Sequence, residues 1–265
     1  MNKEKFKVPS GITISIREMN GEDEIALSEK QTIEAGNQLN IFISRVVIGT
    51  DVDLTTDEHP NKTLYTEEDI ALWPLADKYY VALRARILSL GAMMVFNYRF
   101  KSESHPNPKG AEYREDLSKF VGDLDNWDNL TQEEKDNIDP VAVRPYPQGS
   151  KMEFEFETRS GKNIQWSLLS SYGEKKILRK LDSGVNKNDD FISRKLKIDR
   201  GEGNYQLIEN FREFTSRELS ELRAQFEMYD TAFTMPVEVT SESSGEIDIL
   251  PAVALEEFFF PTTII

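Results

Sequence analysis

Apolar and polar residues alternate over short stretches near the start of the chain. In FKVPSGITISIREMN, Ile12, Ile14 and Ile16 alternate with Thr13, Ser15 and Arg17, the period of a half-buried strand. Ser10-Gly11 supplies a turn before it, with Phe6 and Val8 as the other arm of a hairpin. Asn20-Gly21-Glu22-Asp23 offers a capping residue followed by acids, which predicts a helix start. Leu39, Phe42, Ile43, Val46 and Val47 then share one helical face, predicting a helix over 37–48.

After a polar loop at 49–63, Thr66-Glu67-Glu68-Asp69 opens a helix as a capping box would. Pro74 predicts a kink or a restart, and Leu72, Leu75, Tyr79, Leu83, Ile87 and Leu90 continue a helical stripe. The run MMVFNYRF after Gly91 reads as a strand. Residues 101–150 are rich in Pro, Asn, Asp and Gly and read as an irregular segment, with a helix start at Thr131-Gln132-Glu133-Glu134. Met152, Phe154 and Phe156 alternate with Glu153, Glu155 and Glu157, and Ile164, Trp166 and Leu168 alternate again after Ser160-Gly161. Ser171-Tyr172-Gly173-Glu174 predicts the next helix, 182–190 a loop, and 207–229 a long helix with an aromatic stripe. Residues 236–240 and 246–249, joined by SESSG, predict a small hairpin before an apolar tail.

The two hairpin regions match at a constant offset of 150 residues: Ser10-Gly11 with Ser160-Gly161, Ile14 with Ile164, Ile16 with Trp166, Met19 with Leu169, Glu24 with Glu174, and Leu27 with Ile177. Repetition of a strand–turn–strand–helix unit suggests duplication of a small module. The predicted fold class is α+β: two related β-hairpin–helix modules, a helical segment between them and a small C-terminal β-hairpin. The expected divisions are 1–100, an N-terminal hairpin and helical module; 101–150, an acidic connecting segment; 151–235, a second hairpin–helix module; and 236–265, a hairpin and aromatic tail.

Charge narrows the functions available. Across 265 residues, 32 Lys and Arg face 47 Asp and Glu, a net charge of −15. That disfavours a nucleic-acid backbone and an anionic membrane surface. No apolar stretch is long enough to cross a bilayer, and the N-terminus carries no signal-peptide core, so synthesis and folding in a cytoplasm are expected. The absence of cysteine excludes disulfides, thiolate nucleophiles and Cys-ligated zinc. The two histidines, His59 and His105, each precede a proline in a polar loop and read as surface residues. Walker, GxGxxG and GxSxG patterns are missing, and the EF-hand pattern fails at Lys187 and Ser193. The composition therefore predicts no enzyme, no cofactor and no metal.

The tail LPAVALEEFFFPTTII places many apolar side chains at a chain end. Burying three Phe side chains contributes about 1.5–3 kcal/mol each, enough to anchor the chain to a partner or to its own core. Phe258, Phe259, Phe260 and Pro261 are the expected partner-binding residues, with Trp166 as a second candidate.

The opening VPSGITISIREMNGEDEIALS, the second copy SGKNIQWSLLSSYGEKKIL and the terminal FFFP resemble the baseplate-hub proteins of T-even-type myophage tails. The likeness runs through Pro9, Ser10, Gly11, Ile14, Ile16, Arg17 and Glu24, and through Phe259, Phe260 and Pro261. Members of that family often carry a C-x2-C-G knuckle. Here Ser241 and Ser244 stand at the positions of those cysteines, before Gly245, and hydroxyls do not replace thiolates on zinc. The resemblance implies a metal-free knuckle held by hairpin hydrogen bonds. It also implies a structural component of a contractile-tail baseplate or hub, made in the host cytoplasm, carried in the virion tail and partnered with other hub proteins. Two other readings stay open: an assembly chaperone lost from the mature particle, and a metal-dependent hydrolase using scattered carboxylates.

Overall fold

The computed structural model describes residues 1–28, 38–51, 65–101, 110–149, 151–170, 194–208, 211–230 and 233–260. Strands β1 (Lys3–Lys7) and β2 (Thr13–Arg17) pair antiparallel with Phe6 opposite Ile14. Their apolar residues Phe6, Ile14 and Ile16 are buried, as the alternation requires. The turn is closed by the amide of Val8 on the carbonyl of Ile12 (2.9 Å) and that of Gly11 on Val8 (2.8 Å). Gly11 has φ +81°, a left-handed conformation in which a Cβ is strained.

Helix α1 (Gly21–Ser28) begins as predicted, with the Asn20 side-chain oxygen accepting the amides of Glu22 (3.0 Å) and Asp23 (3.2 Å). Helix α2 (Gln38–Val46) buries Phe42, Ile43 and Val46. It stops where the sequence stripe continues. Val47–Thr50 forms strand β3 against β2, because the β-branched run Val46-Val47-Ile48 favours extended backbone once packing allows it.

Helix α3 (Glu67–Ala71) has the expected capping box of Thr66 and Asp69. At Pro74 the helix restarts rather than kinks, and α4 runs Leu75–Leu90. Leu72 is 58% exposed, against its place in the predicted stripe. Helix α4 is buried far beyond one face, including Ala76, Asp77, Tyr80, Val81, Ala82, Leu83, Ala85 and Arg86, which places it in the middle of the molecule. Strand β4 (Met93–Tyr98) pairs with β5 (Ala111–Asp116). The latter was hidden in a stretch read as irregular, since AEYRED carries four charges. A short helix α5 (Gln132–Asp136) begins at the start predicted at Thr131, which forms a capping box with Glu134.

Strands β6 (Glu153–Glu157) and β7 (Asn163–Ser167) sit 150 positions after β1 and β2 and keep the same register, Phe156 opposite Ile164. The same turn bonds recur, Thr158 amide to Lys162 carbonyl (2.9 Å) and Gly161 to Thr158 (2.8 Å), with Gly161 at φ +85°. The sheet continues through β8 (Lys197–Asp199) and β9 (Tyr205–Leu207). Helix α6 (Ser216–Tyr229) is capped by Thr215 and Glu218. A hairpin of β10 (Pro236–Thr240) and β11 (Ile247–Pro251) follows, then the short helix α7 (Glu256–Phe259). The fold is α+β, with helices and small antiparallel sheets.

The halves share more than their hairpins. In each, the third residue of the long helix presents a carboxylate to the Ser-Gly turn: Asp77 accepts the Ser10 amide (3.0 Å), and Glu218 accepts the Ser160 hydroxyl. In each, a side chain at the far end of that helix accepts an amide just beyond the second strand. Ser89 takes Met19 (2.8 Å) and Asp230 takes Leu169 (3.0 Å). The predicted helix at Ser171–Glu174, the matches Glu174 and Ile177, the loop 182–190, His59, His105 and Pro261 lie outside the described residues.

Candidate functional site

The halves meet where α4 restarts. The Leu75 amide, freed by the break at Pro74, donates to the Leu169 carbonyl (2.8 Å), and Pro74 bridges Ser170. Tyr146, from the connecting segment, donates its amide to Pro9 (2.8 Å). Around this junction lies a cavity of about 250 Å³ lined by Val8, Ile12, Ile14, Trp73, Asp77 and Met152, among others.

Two carboxylates line it, Asp69 and Asp77, and Asp77 is the fully buried one. Burial pushes its carboxyl up to about 7; bonding to Ser10 opposes this, the charge of Asp230 adds to it, and Lys78 lowers it. Asp230 pairs with Arg194. The Tyr146 hydroxyl is pushed well above its ordinary value by burial, with the Asp77 and Asp230 charges adding to the effect. The cavity can shelter an apolar group against one carboxyl whose proton leaves near neutrality. Asp77, Tyr146 and Asp230 escaped the sequence reading. Asp77 looks like an ordinary first-turn acid, and nothing local marks it as buried.

Trp166 is not a surface residue. It is 1% exposed, stacked on Phe154 at 4.5 Å and edge-on to Phe226 at 4.8 Å. The Arg194 guanidinium covers Phe226 at 4.4 Å. The alternation of β7, which turns Asn163 and Gln165 to one face, turns Ile164 and Trp166 into the core on the other.

The aromatic tail is also turned inward. Phe258 is 0% and Phe259 8% exposed. Phe259 meets Phe42 of α2 edge-on at 5.2 Å and Phe258 at 4.9 Å, while Phe260 is half-buried against the same core. The expectation that Phe258, Phe259 and Trp166 anchor a partner is therefore corrected. Their apolar surface is already buried within the chain, and the tail closes the second half onto the first.

The hairpin before the tail presents two neighbouring exposed apolar side chains. Val237 and Val239 of β10 face inward, and Asp248 of β11 accepts the Tyr98 hydroxyl (2.6 Å). On the other face Ile247 and Ile249 are 57% and 67% exposed, and no described strand pairs with the outer edge of β11. At its tip, Ser241 is buried and its hydroxyl oxygen accepts both the Ser244 amide (2.9 Å) and the Ser244 hydroxyl (2.8 Å). The Gly245 amide returns to the Ser241 carbonyl (3.0 Å).

Among the described residues no group of three or more acids or histidines is placed to hold a metal, and no helix is long and apolar enough to cross a membrane. No family description, curated protein or solved structure matches the chain.

Proposed function

We propose that this chain is a structural subunit of a contractile-tail baseplate or hub, acting through protein–protein contacts. The observation that supports this reading best is the tip of the C-terminal hairpin. The resemblance to T-even-type hub proteins calls for a small knuckle with two residues in place of the cysteines of C-x2-C-G. Ser241 and Ser244 occupy those places and bond to each other through their hydroxyls (2.8 Å), so the tip closes through hydrogen bonds alone. Directly beside it, Ile247 and Ile249 offer exposed apolar area on a strand whose outer edge no described strand pairs. Such an edge is suited to receiving a strand from a neighbouring tail subunit.

Quantitative mass spectrometry of purified tail particles from the source organism tests this. A few fixed copies per particle, with incorporation lost in an I247D/I249D variant, is the expected result. Presence in lysate complexes but absence from mature particles would convert the reading to an assembly chaperone. If no tail protein accompanies the chain in either fraction, the reading fails.

A further inference from the structure

The two halves carry oppositely charged edge strands. Strand β1 is one edge strand of the first sheet, opposite β3, and β6 one edge strand of the second, opposite β9. Along β1 the outward side chains are Lys3, Lys5 and Lys7; at the same positions of β6 they are Glu153, Glu155 and Glu157. All are exposed except Lys7, which is half-buried. None of the six makes an ion pair with another described residue. Lys5 only contributes a longer-range attraction to Asp51.

The backbone of these same residues also points outward. In β1 the amide of Val8 donates inward to Ile12 and that of Glu18 to Asn2. The register therefore makes the even-numbered residues the bonded pairs with β2. The amides and carbonyls of Lys3, Lys5 and Lys7 then face away from the sheet. The Lys7 amide bears this out, being taken by the Asp125 carboxylate at 2.9 Å. In β6 the amide of Thr158 bonds Lys162 and that of Leu168 bonds Met152, so Glu153, Glu155 and Glu157 face outward in the same way.

Charged residues on an edge ordinarily discourage pairing. Here each edge carries the sign that the other needs. Opposite charges directly across an antiparallel pair are favourable, and like charges are not. The lysine stripe is also a local exception on a chain of net charge −15. We propose that the β1 edge of one copy of this chain pairs antiparallel with the β6 edge of a second copy. Lys3 and Lys5 lie opposite Glu157 and Glu155, and Asp125 ends the ladder at Lys7. The contact is heterologous, so copies add head to tail and close into a ring if the rotation permits. The proposal does not depend on the chain belonging to a contractile tail.

Charge reversal tests it. Sedimentation velocity at low ionic strength, where exposed charges are least screened, should show the wild-type mass at least doubling from 30.5 kDa as concentration rises. K3E/K5E and E155K/E157K should each stay monomeric, because each carries two edges of one sign. An equimolar mixture of the two should associate again, since the acidic β1 of one meets the basic β6 of the other. Recovery on mixing also shows that both variants are folded. A wild type that stays monomeric at every concentration would overturn the proposal. So would reversed variants that associate like the wild type, or a mixture that does not recover although each variant alone keeps its wild-type circular dichroism.

Discussion

Two buried carboxylates at matching helix positions are shifted in opposite directions, and their titration should read out in stability. Asp77 is buried, and its carboxyl is pushed up to about 7. The folded state therefore holds a proton that the unfolded state releases near the ordinary value of 3.8. Stability contributed by the protonated form is lost as pH rises between these values, on the order of 4 kcal/mol in full. Glu218 is the reverse. The Ser160 hydroxyl, with the Thr215 amide and Lys162, holds it down at about 2. Its contribution is present above the ordinary value of 4.5 and is lost as pH falls toward 2. Urea unfolding across pH should show D77N flattening the neutral limb and E218Q flattening the acid limb. Identical pH profiles for both variants and wild type would contradict these assignments. Phe259 supplies a third check at this level. Because it packs on Phe42, F259A should cost about 3–5 kcal/mol in the isolated chain. A surface anchor would cost almost nothing.

The elements most legible in the sequence are those fixed by local chemistry. The Ser-Gly hairpins, the capping boxes at Thr66 and Thr131 and the C-terminal hairpin all follow from residue types a few positions apart. Elements that depend on distant partners were hidden. Strand β3 is a continuation of a helical stripe until β2 pairs with it. Strands β8 and β9 are too short to show a period. The tail's aromatic content was visible, but not its target, because Phe42 lies more than two hundred residues earlier. The candidate site was hardly legible at all: Asp77, Tyr146 and Asp230 come together only when the two halves meet. The matched turns yield a prediction of their own. Gly11 and Gly161 both adopt positive φ with open space around a would-be Cβ, so G11A and G161A should each cost about 1–2 kcal/mol from backbone strain alone. Equal losses in thermal unfolding would fit equivalent turns; a neutral substitution at either would not.

The molecule as a whole is held closed by contacts between its halves. The Tyr98 hydroxyl bonds Asp248, the Tyr113 hydroxyl bonds the Thr240 carbonyl (3.1 Å), Tyr80 meets Phe233 and Phe42 meets Phe259. Phe258 and Phe259 of the tail are thus buried within the chain. What the closed molecule offers to others includes the exposed isoleucine face of β11 and two oppositely charged edges, β1 and β6, whose outer sides no described strand pairs. Recognition in the proposed tail subunit then proceeds through strand edges rather than through an aromatic anchor. Hydrogen–deuterium exchange should be compared between the free chain and the chain inside assembled tail particles. New protection on assembly is expected at 247–251 and along β1 and β6, while 257–260 should be protected to the same degree in both. Protection gained only at 257–260, with the strand edges unchanged, would contradict it.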